Sequence, residues 1–234
     1  MKQIAGHSLN FIDCNLIMLS AVTILSFLLL PPGDKKPCPE NNRFTVIQLN
    51  FEEKQSPAPP GSDTIYYDFE RKLQWDDFQA KPSPSGPSAA VSYTSFAYEG
   101  NSNLVNDTLR ITLRLQVFFI KSASWVRPEA RNSYALAHEQ LHFDITRLVV
   151  ERFKQKLRQT ALNRDDYDSI IQYQYLQSFR EMNRLQYRFD QETHHGLNVA
   201  EQIRWRDKVN VGLKNNGVLP EELGIEGINF TPIQ

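Results

Sequence analysis

From Leu109 to Phe119 the chain alternates: Leu109, Ile111, Leu113, Leu115, Val117 and Phe119 are apolar, and Arg110, Thr112, Arg114 and Gln116 stand between them. A period of two sends the two sets to opposite faces, so this stretch predicts a strand with one buried and one wet face. The runs "TIYYDFE" from Thr64 and "AAVSYTSFAYE" from Ala89 follow the same period less strictly. Residues 64 to 120 therefore predict a small antiparallel sheet, the arrangement that packs one face on a core and leaves the other in water.

After Pro128, a residue favoured in the first turn of a helix, the period changes. Apolar residues recur at helical spacing to about Leu213, with "NRDD" from Asn163 as a break and cap. Strands first and helices second define the α+β class. With His138 set at 0° and about 100° per residue, Tyr134, Leu141, His142, Ile145, Leu148, Val149 and Phe153 all fall within about 80° of it. Arg147, Glu151 and Lys154 fall at roughly 160° to 220° and are expected to face water.

The N-terminal part has another character. Residues 16 to 30, "LIMLSAVTILSFLLL", carry no charge and predict a targeting segment. As a helix this run spans about 22 Å, short of the ~30 Å hydrocarbon core, which favours a signal-peptide core over a spanning helix. No A-x-A-like site follows in "PPGDKKPCPE", so an uncleaved anchor is the alternative, and basic residues on both sides leave its orientation open. Residues 1–33 are thus a signal peptide or membrane anchor. Residues 34–63 read as a Pro- and Ser-rich linker interrupted by one short apolar strand, "FTVIQLNF". The domain is expected over 64–216, with an irregular tail over 217–234.

Composition removes several classes. In 234 residues, 26 Lys and Arg face 27 Asp and Glu without long blocks of one sign, which disfavours a dedicated nucleic-acid binder. A hydrophobic content of 41 % is too high for a disordered chain. The two cysteines, Cys14 and Cys38, both precede the expected domain, which excludes a disulfide framework or a cysteine metal site.

The string that carries chemistry is "YALAHEQLHFDITRLVVERF", with His138, Glu139 and His142 in the spacing H-E-x-x-H. On a helix, residues four apart share a face, so both imidazoles can reach one ion, and zinc needs two such nitrogens, a third protein ligand and one open position. Glu139 is then placed to act as general base on a water. A chain of this length carries the spacing by accident about once in two hundred cases, so helical phase matters as a second test. That phase puts both imidazoles on the apolar stripe, where unpaired ring nitrogens would be costly unless something binds them.

A third ligand must come from elsewhere, because positions 145 and 148 are Ile and Leu where a metzincin needs Gly and His. The later segment "FDQETHHGLNVAEQIRW" offers Asp190, Glu192, His194 and His195. Continuous helical phase from Glu192 puts His195 on the inward face with it, and Asp190 and His194 outward. Periodicity leaves a Glu192 site and a His195 site equally open. Asp144 and Asp190 are candidates for orienting a ligand imidazole by hydrogen bonding; a salt bridge suits Asp144 equally well, and a helix cap suits Asp190.

"LQWDDF" at 73–78, "SW" at 124–125, "LAHEQLHFD" at 136–144, and D-x-E-T-x-H-G with a following Q-x-x-W between 190 and 205 together resemble a bacterial family of domains of unknown function, number 922 among such domains. Its members are described as predicted secreted zinc-dependent proteases, and the resemblance covers about 65 to 210. It implies a zincin-like metallohydrolase domain, a Zn²⁺ cofactor, and His195 as third ligand, with Glu192 the alternative. The expected activity is a zinc peptidase acting on a peptide or protein, in the envelope or outside the cell. Two alternatives stand beside it: a membrane-tethered binding or scaffold domain whose metal is absent or structural, and a metal-dependent hydrolase of another bond. Tyr134, Tyr187, Arg188 and Arg204 are candidate oxyanion donors by residue type.

Overall fold

The structure is a computed structural model, and it describes residues 46–54, 59, 61–83, 86 and 88–219. The expected targeting segment and most of the expected tail lie outside these residues. Among the described residues no helix is long and apolar enough to cross a membrane.

The molecule is α+β. Strands β1 (Val46–Glu53), β2 (Thr64–Tyr66), β3 (Ala90–Val91), β4 (Thr94–Val105), β5 (Thr108–Ile120) and β6 (Trp125–Val126) precede helices α1 (Ser133–Gln159), α2 (Tyr167–Glu192) and α3 (Val199–Lys214). β5 is the spine of the main sheet. β4 pairs with it antiparallel along almost its whole length, through a two-residue turn at Asn106 and Asp107. Both turn residues have positive φ, as a hairpin twist of this hand requires. The other edge of β5 carries β1 over Thr108–Leu115 and β2 over Phe118–Ile120.

One expectation is corrected here: the sheet is mixed, because β1 runs parallel to β5. The apolar run inside the expected linker supplies that strand. Alternation could show that "FTVIQLNF" was strand-like, but strand direction is set by the path of the chain between partners. Ala90–Val91 and Trp125–Val126 form a separate two-stranded ladder.

The alternating residues of β5 make the floor of the core, with Leu109, Ile111, Leu113, Leu115, Val117 and Phe119 all buried. α1 lies on that floor through Phe143, Val149, Val150, Phe153 and Leu157. Its other apolar side, Leu141, Ile145 and Leu148, packs with Phe189, Trp205 and Val209 of α2 and α3. A helix of 27 residues, about 40 Å long, is thus clamped between the sheet and two helices. Only a helix apolar on two sides satisfies both layers.

The helical half forms three helices, not two. Asn132 caps α1, its Oδ1 accepting from Ala135 N at 2.8 Å, while Pro128 opens a separate short 3₁₀ turn. The break at Asn163 is present, its Oδ1 accepting from the N–H groups of Asp165 and Asp166. A second break separates α2 from α3 at residues 193–198. There His195 N donates to Asp190 O at 2.8 Å and His194 N to Gln191 O at 3.2 Å, the paired bonds of a Schellman ending. Glycine usually fills the left-handed position of that motif; here His194 holds it at φ +50°, followed by His195 at +54° and Gly196 at +86°. Helical phase therefore does not run through from Glu192 to His195, which overturns the expected facing of these residues.

The expected solvent face of α1 is also corrected. Glu151 and Lys154 are buried, because Glu53 at the end of β1 reaches over them. Glu53 accepts from both nitrogens at the tip of Arg147 at 2.9 and 3.0 Å and from Lys154 Nζ at 2.8 Å. Lys154 pairs in turn with Glu151 at 2.8 Å. Burial raises the Glu53 carboxyl, but its bonds and charges with Arg147 and Lys154 outweigh that and bring it down to about 2.

Candidate metal centre

His138, Glu139 and His142 sit in the first half of α1; the two histidines, one helical turn apart, face α2 and α3, and the Glu139 carboxylate meets Ser92. His138 and Glu139 are each only 5 % exposed. The His138 ring stacks on Phe189, centroids 4.4 Å apart, and His142 meets the same ring edge-on at 4.9 Å. One phenylalanine thus holds both imidazoles, and the next residue of α2 is Asp190.

Asp190 is the residue that joins them. Its Oδ1 lies 3.2 Å from His138 Nε2 and 3.1 Å from His142 Nε2. For a tetrahedral ion with bonds of about 2.0 to 2.1 Å, ligand atoms lie about 3.3 Å apart. The observed separations match that edge, and among the described residues these three side chains form the group able to hold a metal ion.

The other ring nitrogens are engaged elsewhere. His138 Nδ1 lies 2.9 Å from Gln202 Oε1 on α3, and His142 Nδ1 bonds Gln186 Oε1 on α2. An amide oxygen only accepts, so each Nδ1 carries the proton. In a neutral ring Nε2 is then a bare lone pair, and two such lone pairs aimed at one carboxylate oxygen repel. The arrangement calls for positive charge between them, supplied by protons or by a cation. Burial lowers His142, yet its bond to Asp190 and the charges of Glu139 and Asp190 raise it to about 9. Burial likewise raises the Asp190 carboxyl, and the bonds from His138 and His142 outweigh it, leaving it far below the usual carboxylate range.

The remaining expected residues separate cleanly. His195 comes near, with Nδ1 3.8 Å from Asp190 Oδ1, but it is 41 % exposed and stands at the rim. Glu192 turns away: it accepts from Trp205 Nε1 at 2.7 Å and from Arg188 Nε at 2.6 Å, bracing α2 against α3. Asp144 accepts from Tyr67 at 2.8 Å and Gln140 at 2.9 Å, anchoring the 67–73 segment to α1. Asp190 caps no helix start; it stands in the last turn of α2. His194 is not among the residues that line the cavity.

A cavity of about 460 Å³ opens over the cluster. His138, Glu139, His142, Asp190 and His195 line one side, and the segment Ser88–Thr94 lines the other. Ser92 Oγ donates to Glu139 Oε2 and leaves Oε1 without a partner among the described residues. The segment is pinned from behind, because Tyr93 N donates to Ser124 Oγ at 2.9 Å and Arg127 N to Ala89 O at 2.9 Å. In an antiparallel ladder the bonded pairs alternate, so the N–H and C=O of Ala90 point away from β6. Tyr134 also lines the cavity, and its hydroxyl oxygen is buried without a partner among the described residues.

Residue types did not reveal Gln186, Gln202 or Ser92. Gln202 was visible only as part of Q-x-x-W, and Gln186 only as the residue one turn before Asp190. Comparison of the chain with protein-family models, with curated proteins and with solved structures finds no match in any of the three.

Proposed function

We propose that the protein is a zinc-dependent hydrolase of the zincin-like type, acting on peptide bonds. The observation that carries this reading is the convergence of two helix-borne imidazoles and one carboxylate on a single point beside Glu139, inside one cavity. The resemblance to the bacterial family of predicted zinc-dependent proteases supports it. His138, His142 and Asp190 would hold the ion, so Asp190 replaces His195 as the third ligand in this reading. His195 stands at the rim, within reach of substrate.

Zn²⁺ held there would supply a Lewis acid for the scissile carbonyl and bring the pKa of a water towards about 7. Glu139 takes the proton of the attacking water on Oε1 and passes it to the leaving amine. Ser92 fixes the other oxygen, so the carboxylate cannot turn away. The outward N–H and C=O of Ala90 offer an extended peptide two main-chain bonds, which align it across the cluster. The uncharged run at 16–30 supports a location outside the cytoplasm, secreted or tethered to a membrane.

The test uses the purified full chain. It is expected to bind one equivalent of zinc and to cleave members of a mixed peptide library, and His138→Ala is expected to do neither. One equivalent of tightly held zinc with no turnover of peptides or cell-wall fragments would instead support a binding domain with a structural metal.

A further inference from the structure

Each imidazole of the cluster is held on its far side by a glutamine from a different helix. Gln186 comes from α2, one turn before Asp190, and Gln202 comes from α3. Both amides are themselves fixed by backbone carbonyls of α1. Gln186 Nε2 donates to His142 O at 3.0 Å and lies 3.0 Å from Thr146 Oγ1. Gln202 Nε2 donates to Tyr134 O at 3.3 Å, one turn before His138. A carbonyl only accepts, so each amide nitrogen belongs where it is and each amide oxygen must face its imidazole. Gln202 is 5 % exposed. Gly196 comes close to the same His138 edge, where an added Cβ would lie 3.3 Å from Nδ1 and 3.7 Å from Gln202 Oε1.

We infer that Gln186 and Gln202 are positioning residues that fix both imidazoles as Nδ1–H tautomers and aim both Nε2 lone pairs at one metal ion. The inference rests on the proposed metal site. A neutral histidine has two tautomers, and only the one with a bare Nε2 can use that nitrogen as a ligand. Without an outer acceptor at Nδ1, each ring could place its proton on Nε2 towards Asp190 and block the position. The glutamines remove that choice for the neutral ring, the form that can take up the ion. α2 and α3 thus do more than cover α1, since each delivers one acceptor to one imidazole.

The probe is Zn²⁺ itself, measured by competition with a chromophoric chelator on the full chain, with thermal melting as a check of folding. Gln202→Met and Gln186→Met keep the volume and remove the acceptor, and each is expected to weaken zinc by about 10- to 100-fold. Gln202→Glu keeps an acceptor oxygen at His138 Nδ1 and exchanges the N–H to Tyr134 O for a second oxygen, and it is expected to hold zinc at least as tightly as wild type. A packing role predicts the reverse order, with Met tolerated and the buried Glu harmful. In the zinc-loaded wild type, nitrogen-15 spectra are expected to show Nδ1–H on both rings. Wild type that takes up zinc while both Met variants bind equally well overturns the inference and leaves the metal site standing. Wild type that takes up no zinc overturns both.

Discussion

Asp190 Oδ1 lies 3.1 Å from His142 Nε2, and the two residues belong to different helices. That contact exists because α2 ends just beyond Asp190, and because Phe189 packs under both imidazoles and fixes the rotation of the last turn. Asp190→Ala is therefore expected to weaken zinc by more than the roughly 100-fold that losing an outer hydrogen bond costs. His195→Ala is expected to stay within about 10-fold of wild type. Equilibrium dialysis against a zinc buffer distinguishes the two, and the opposite order would restore His195 as the third ligand.

Glu139→Gln should retain zinc and lose peptide hydrolysis by about 10²- to 10⁴-fold, the usual range for removing a general base. Metal content and turnover are read on the same preparation. Undiminished turnover would remove Glu139 from the chemistry.

His194 and Gly196 both have positive φ, at +50° and +86°, but their surroundings differ. His194→Gly relieves a left-handed L-residue and is expected to stabilise the fold by about 0.5 to 1 kcal/mol in urea unfolding, with zinc affinity unchanged. Gly196→Ala adds a Cβ 3.3 Å from His138 Nδ1 in the same unfavourable region. It is expected to cost about 1 to 3 kcal/mol and to weaken zinc as well.

Glu53 joins β1 to α1, and its carboxyl is lowered from 4.5 to about 2 by Arg147 and Lys154 against the effect of burial. A depressed carboxyl contributes stability that is fully present above about 4.5, the unfolded value, and is lost as pH falls through about 2. Wild type should therefore lose stability between about pH 4.5 and 2 more steeply than Glu53→Gln. Once solvent screening is allowed for, the difference at neutral pH is expected to be about 1 to 2 kcal/mol. Parallel urea titrations at several pH values check it; equal slopes would show that the bridge contributes nothing.

Gly217 carries φ +92°, and a Cβ there would lie 2.6 Å from Arg152 N, a backbone atom that cannot step aside. Gly217→Ala is expected to destabilise by at least about 1 kcal/mol, read as a lower urea midpoint. No change in midpoint would mean that this turn is not held against α1 in solution.

Elements that repeat a short local pattern were legible in the residues alone. The alternation of Leu109 to Phe119 defined the central strand, and the 3.6-residue period after Pro128 defined a helix with His138 and His142 on its buried side. Those signals are local, because each residue reports its own burial through its polarity. The rest depends on partners distant in the chain, which only the packed fold brings together. The direction of β1 beside β5 is one case, and the covering of Glu151 and Lys154 by Glu53 is another. A Schellman ending built on His194, without glycine in its usual place, gave no sign that α2 stops after Glu192. The turn of the chain there carried Asp190 inward, left His195 at the rim and sent Glu192 to Trp205. Periodicity reports which side of one helix is buried; which carboxylate meets the imidazoles depends on where that helix ends and on what packs beneath it.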